Sequence, residues 1–166
     1  MYRILSFVRR FLTIALLTSF SLSPVLQAQD SKENADLKLA LNLYNDKFYD
    51  LALEQFRQFI SFYSNSPQAL EARYYLGLTQ THLGLHDDAR FTFQNFALSY
   101  PDNPKAPEAW MRVAESFIAA ANLREAALAY ERVRTFHPRA TQAPDALQKA
   151  ADLFEQIGDR ANATRV

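Results

Sequence analysis

The side chains best placed for chemistry are His82 and His86, four residues apart and followed by Asp87 and Asp88. Two histidines at i and i+4 on one helix can share a metal ion. Gly84 stands between them, where one helical pattern ends and the next begins, so the pair is expected on two helices rather than on one face. A metal-dependent enzyme using His82 and His86 is therefore the weaker reading. His137 precedes Pro138 in a turn-rich stretch and reads as a connector residue. The chain has no cysteine, which removes thiolate nucleophiles, thiolate metal sites and disulfides. It also lacks a glycine-rich phosphate loop, a serine elbow and paired catalytic carboxylates. The expectation is a protein that is not an enzyme, needs no cofactor and works through its surface.

The 166 residues suffice for one domain with a core, but the first 28 do not belong to it. Arg3, Arg9 and Arg10 make a basic front, FLTIALLTSFSL is apolar and uncharged, and SPVLQA ends on the small Ala28 before QDSKEN. That layout is a secretory signal peptide with cleavage expected after Ala28, hence a periplasmic location. An uncleaved anchor would need about 20 apolar residues, and Arg9 and Arg10 interrupt any longer stretch. The leader holds three of the 18 basic residues and no acid, leaving 15 basic against 18 acidic residues in the remainder. Such a mildly acidic domain lacks the basic footprint of a nucleic-acid binder, and Arg132, Arg134 and Arg139 read as a solvated face.

The remaining residues repeat with a period of 37. One column reads Ala40, Gly77, Ala114, Ala151, and a second reads Ala52, Ala89, Ala126, Ala163. A third holds Phe56, Phe93 and Tyr130, and a fourth Phe59, Phe96 and Val133. Turn residues align as well, Pro101 with Pro138, Pro67 with Pro104, and Pro107 with Pro144. Within each unit the apolar spacing is that of helices, so each unit predicts two helices and the chain an all-α array. Small residues recur where two antiparallel helices must approach closely, and the aromatic positions fill the space beside them. Lys47, Gly84, Ala121 and Gly158 occupy the corner between the two helices. Prolines at 107 and 144, each followed by an acid, mark helix starts.

These columns resemble the tetratricopeptide pattern W-x2-L-G-x2-Y, then A-x3-F, then P. Trp110, Val113, Ala114 and Phe117 fall on its first part, and Ala126, Tyr130 and Pro138 on the rest. The preceding unit supplies Arg73, Leu76, Gly77, Gln80, Ala89, Phe93 and Pro101. The resemblance implies a right-handed α-solenoid of about three and a half helix-turn-helix repeats. Its units cover residues 34–69, 70–106, 107–143 and an incomplete 144–166, after a short polar linker at 29–33. The usual unit has about 34 residues. The extra residues lie in the connector, a feature similar to bacterial envelope members such as the Tol–Pal-associated periplasmic protein and the outer-membrane assembly lipoprotein. The missing lipid-attachment cysteine sets this chain apart from that lipoprotein.

The resemblance further implies that first helices of successive units line a concave groove holding a peptide or helix of a protein partner. Carried onto matching positions, the groove columns are Leu37, Tyr74, Met111, Gln148; then Leu41, Leu78, Glu115, Asp152; then Tyr44, Thr81, Ile118, Glu155. His82 adjoins the last column. An apolar half followed by an acidic half would suit a partner with apolar anchors at one end and Lys or Arg at the other. The competing expectation is that Leu41, Leu78 and Ile118 are core and the acids solvated surface. The functions compatible with this are an envelope interaction scaffold, an outer-membrane assembly or constriction factor, or the interaction domain of a longer envelope protein. The fourth unit leaves only DRANATRV for its second helix, and the expectation is truncation, a partner or second copy covering the edge, or fraying.

Overall fold

The computed structural model describes residues 23–166. Among these the chain forms eight helices: α1 (Ser23–Asn45), α2 (Tyr49–Phe62), α3 (Gln68–His82), α4 (His86–Ser99), α5 (Ala106–Ala119), α6 (Leu123–Phe136), α7 (Ala143–Gln156) and α8 (Arg160–Arg165). Each packs antiparallel on the next, and α1 also touches α3, the first helix of the following unit. The result is the α-solenoid of helix-turn-helix repeats that the period predicts. Residues 29–33, read above as a linker, are helical, because nothing between Pro24 and Asn45 breaks a helix and Lys32 pairs with Asp36 one turn on. Most of the expected leader lies outside the described residues; only 23–28 are described, as the start of α1. No described helix is long and apolar enough to cross a membrane.

The corners are the same motif four times. Lys47, Gly84, Ala121 and Gly158 all have positive φ, from 57° to 75°. At the first, the Lys47 N–H donates to the Tyr44 carbonyl and the Phe48 N–H to the Leu43 carbonyl. The same pair of bonds recurs from Gly84 and Leu85, from Ala121 and Asn122, and from Gly158 and Asp159. This is the Schellman arrangement, which satisfies carbonyls that a helix end leaves orphaned. The connectors repeat too: Ser66, Asn103 and Ala140 donate to the carbonyls of Tyr63, Tyr100 and His137. Pro107 and Pro144 sit in the first turn of α5 and α7, where a missing N–H costs nothing.

The core follows the columns. Ala40, Ala52, Ala89, Ala114, Ala126, Phe56, Phe93 and Val133 are fully buried. At Gly77 the reason for the small column is direct: a Cβ there would lie 2.7 Å from Cζ of Phe93. The apolar interior falls into two clusters. One holds the first unit around Phe56 and Phe59, and the other runs from Tyr74 to Phe154 through units two to four. Tyr75 packs against both. The short α8 buries no residue completely but is held to α6 by Arg124–Asp159 at 2.7 Å and Arg165–Glu131 at 2.8 Å. Asp159 also caps α8, accepting from the Asn162 N–H.

Two outcomes test this packing. Gly77→Ala gains about 1 kcal/mol of helix propensity but overpacks a filled site at about 1–3 kcal/mol, so a net loss of stability is expected in urea unfolding. In a Phe93→Leu background the same change should cost less; strictly additive losses would disprove the contact. At the third corner Ala121→Gly should raise stability by about 0.5–1 kcal/mol, since only the alanine pays for a left-handed backbone. A melting temperature that stays put or falls would contradict that corner geometry.

Candidate functional site

The inner face is built by α1, α3, α5 and α7, whose packing sides are fixed by the small-residue columns. What each helix shows on its free side is then a matter of a few positions. Two of the residues expected to line the groove do not. Leu37 and Tyr74 are 6% and 3% exposed, because each points into the layer between the two helices of its unit. Leu37 and Tyr74 are core, whereas Leu41 and Leu78, which the packing alternative assigns to the core, are half-buried and Ile118 is exposed. Leu41, Tyr44, Leu78, Thr81, Met111 and Glu115 are half-buried, while His82, Ile118, Gln148, Asp152 and Glu155 are exposed. Thr81 is satisfied by its own helix, its hydroxyl donating to the Gly77 carbonyl at 3.0 Å.

Tyr44 and His82 are brought together across the first two units, with the Tyr44 hydroxyl 3.2 Å from Nε2 of His82. The His82 ring stacks on Tyr49 at 4.4 Å and 5° between planes, and Tyr44 meets Tyr49 and Tyr75 edge-on at 5.7 and 5.2 Å. Burial raises the Tyr44 phenol above its ordinary value, so this hydroxyl stays a neutral donor or acceptor. His82 is thus the last residue of α3 in an aromatic cluster, and His86 opens α4 beyond the left-handed Gly84. The two histidines sit on separate helices, as the corner requires.

Further along the face the acids are not free. Arg112 lies between Glu108 at 3.1 Å and Glu115 at 3.0 Å, one turn to either side. Burial opposes the Arg112 charge, but the two carboxylates outweigh it and raise its pKa further. The next unit repeats half of the arrangement: Lys149 pairs with Asp145 at 2.7 Å, whereas Asp152, the counterpart of Glu115, accepts from Gln148 at 2.8 Å. Asp152 and Glu155 carry no ion pair among the described residues. Burial, and after it the Glu108 carboxylate, hold the Tyr74 phenol well above its ordinary range; its oxygen is buried without a hydrogen-bond partner. Lys105, from the connector, covers the rings of Tyr74 and Tyr75 at 4.4 and 5.4 Å. Burial and then Glu115 push Tyr130 up to about 12.

Sequence reasoning missed Tyr49, Tyr75, Lys105 and Arg112. Arg112 was legible: it and Lys149 share a column, each with an acid four before and three after, the spacing of helix ion pairs. Tyr49 and Lys105 were not, because they come from a second helix and a connector that no groove column includes. The arrangement offers aromatic faces, two paired cations and unpaired acids on a surface. Among the described residues no group of three His, Cys, Asp or Glu side chains is placed to hold a metal.

Residues 71–103 match the model of the tetratricopeptide repeat. No curated protein matches the sequence. Among solved structures, MamA superposes with a TM-score of 0.64 at 21% identity, covering 86% of this chain and 78% of that one. PcrH from Pseudomonas aeruginosa does so at 0.58 and 18% identity, covering 77% of this chain and 92% of that one. A thermophilic TPR protein of Thermus thermophilus matches at 0.53 and 22% identity, covering 79% and 69%. At such identities the likeness is one of fold. The chain thus carries a recognisable tetratricopeptide repeat in its second unit and has the α-solenoid fold of proteins built from such repeats.

Proposed function

We propose that this chain is an exported, non-enzymatic scaffold of a bacterial envelope, holding a segment of a partner protein on its inner face. Repeat solenoids present extended concave surfaces and generally act by binding other proteins. The observation that carries the reading is the polarity of that face. Its first two units offer the aromatic cluster of Tyr44, Tyr49 and His82, and its last unit offers the unpaired carboxylates of Asp152 and Glu155. A partner with an apolar or aromatic anchor at one end and Lys or Arg at the other complements it. Because Arg112 neutralises much of Glu115, the acidic end is centred on α7 rather than shared equally with α5. The envelope location rests on the leader-like residues 1–28 and the lengthened connectors, and a role in outer-membrane assembly or constriction would be a special case of it.

Pull-down from envelope extract with the wild type and with Asp152→Lys plus Glu155→Lys tests the groove. The double reversal should abolish recovery of the partner while leaving the melting temperature within a degree or so, as exposed positions rarely matter to stability. Recovery at the wild-type level would reject the acidic end. Export is tested apart from this: intact mass of the protein from a periplasmic fraction should correspond to a chain beginning at Gln29. A chain found only in the cytoplasm with residues 1–28 attached would reject the envelope reading.

A further inference from the structure

The outer side of the solenoid, formed by α2, α4 and α6, is not a plain solvated surface. Phe91 is 69% exposed and Leu128 45%, and the two occupy the same position one repeat apart. Each forms the wall of a notch between successive second helices. The notch beside Phe91 has a volume of about 200 Å³ and is floored by Leu76. The notch beside Leu128 has about 180 Å³ and is floored by Val113, the residue matching Leu76. Both are smaller than the roughly 300–1,000 Å³ of small-molecule sites and suit one bulky side chain apiece.

Each notch also holds one guanidinium, supplied from a different helix. In the first, Arg73 of α3 lines the floor beside Asn95 of α4. In the second, the position of Arg73 is taken by Trp110 and that of Asn95 by Arg132, whose guanidinium lies 4.9 Å from the Trp110 ring centre. Neither arginine has an ion pair among the described residues, and Nε of Arg73 is buried without a hydrogen-bond partner. Arg73 is half-buried and Arg132 exposed, and with no ion pair of its own each favours a carboxylate from outside, which Arg receives in a two-pronged geometry.

We propose that these two notches form a second interaction surface, which takes an acidic segment of a partner protein with a bulky apolar residue beside a carboxylate, twice, at the spacing of one repeat. Charge separates it from the inner face: the groove presents unpaired acids and the outer notches unpaired arginines. An anionic bilayer fits the outer side less well, because each notch is lined by one cation, Glu125 lines the second notch beside Arg132, and Asp87 and Asp88 are exposed on the helix that carries Phe91.

The test uses the full chain and three fluorescently labelled peptides, each with two dipeptides joined by a flexible spacer: Phe-Glu, Phe-Lys or Ala-Glu. The Phe-Glu probe should bind in anisotropy titrations, and both controls at least about tenfold more weakly, Phe-Lys for want of the charge-assisted hydrogen bonds and Ala-Glu for want of the buried ring. Arg73→Gln and Arg132→Gln should each weaken the Phe-Glu probe by a similar factor, Arg73→Lys should weaken it less, and Arg139→Gln in a connector should change nothing. If Arg73→Gln disturbs folding by circular dichroism, the exposed Arg132 carries the test alone. Equal binding of all three probes, or indifference to both arginines, would overturn the proposal. So would phosphatidylglycerol vesicles that bind the chain only while Arg73 and Arg132 are present, or self-association in sedimentation that the same variants abolish.

Discussion

The distance between the two helices of a unit is set where a side chain is missing, and the rest of the molecule is arranged around that closeness. At Gly77 the gap is filled by the ring of Phe93, which is fully buried there. Glycine in mid-helix sacrifices about 1 kcal/mol relative to alanine. Burying a phenylalanine side chain returns about 1.5–3 kcal/mol, so the exchange is favourable whenever the ring has nowhere else to go. In the first and third units alanine does the same work against Phe56 and Tyr130, both almost completely buried. Once this crossing is fixed, helix order, corner and connector can differ little between units, and they do not: the same backbone hydrogen bonds recur at residues 37 apart.

A fixed packing side leaves the free sides of the helices unconstrained, and there the units diverge. The column Lys38, Tyr75, Arg112, Lys149 passes from cation to aromatic and back. In unit two the aromatic member meets Tyr44 and Tyr74 edge-on, and Lys105 covers it together with Tyr74. In unit three the cation is drawn between two acids of its own helix, and in unit four Lys149 is drawn to Asp145 alone, which changes the apparent charge of the face more than a count of carboxylates suggests. Exposed pairs of this kind are worth little to stability; their effect is to decide which acids remain available to a partner.

The fold was legible because its determinants are local and repeated. A left-handed corner announces itself through glycine, and the column then extends the inference to Lys47 and Ala121, which no residue preference would have chosen. The site was legible only in part. A column states which positions are equivalent, but equivalent positions differ in burial when their neighbours differ in size. Tyr74 is core while Met111, its counterpart, is half-exposed, because Lys105 and α5 close over the tyrosine. Residues 29–33 show the converse: their polarity reads as a linker, yet they continue α1, where Lys32 pairs with Asp36 one turn on.

The aromatic cluster also lies where the solenoid is divided. The interior is two clusters rather than one, and Tyr75 is the side chain packed against both. Tyr44 from the first unit and His82 from the second meet beside it, with Tyr49 stacked on the histidine. In a repeat array stability is close to a sum of unit terms and nearest-neighbour interfaces, so contacts across this seam govern whether the first unit opens independently of the others. On the function proposed above, the same side chains are interface on one side and partner surface on the other. A segment lying across Tyr44 and His82 would bind only the form in which the two units are docked, and would by that linkage hold them together.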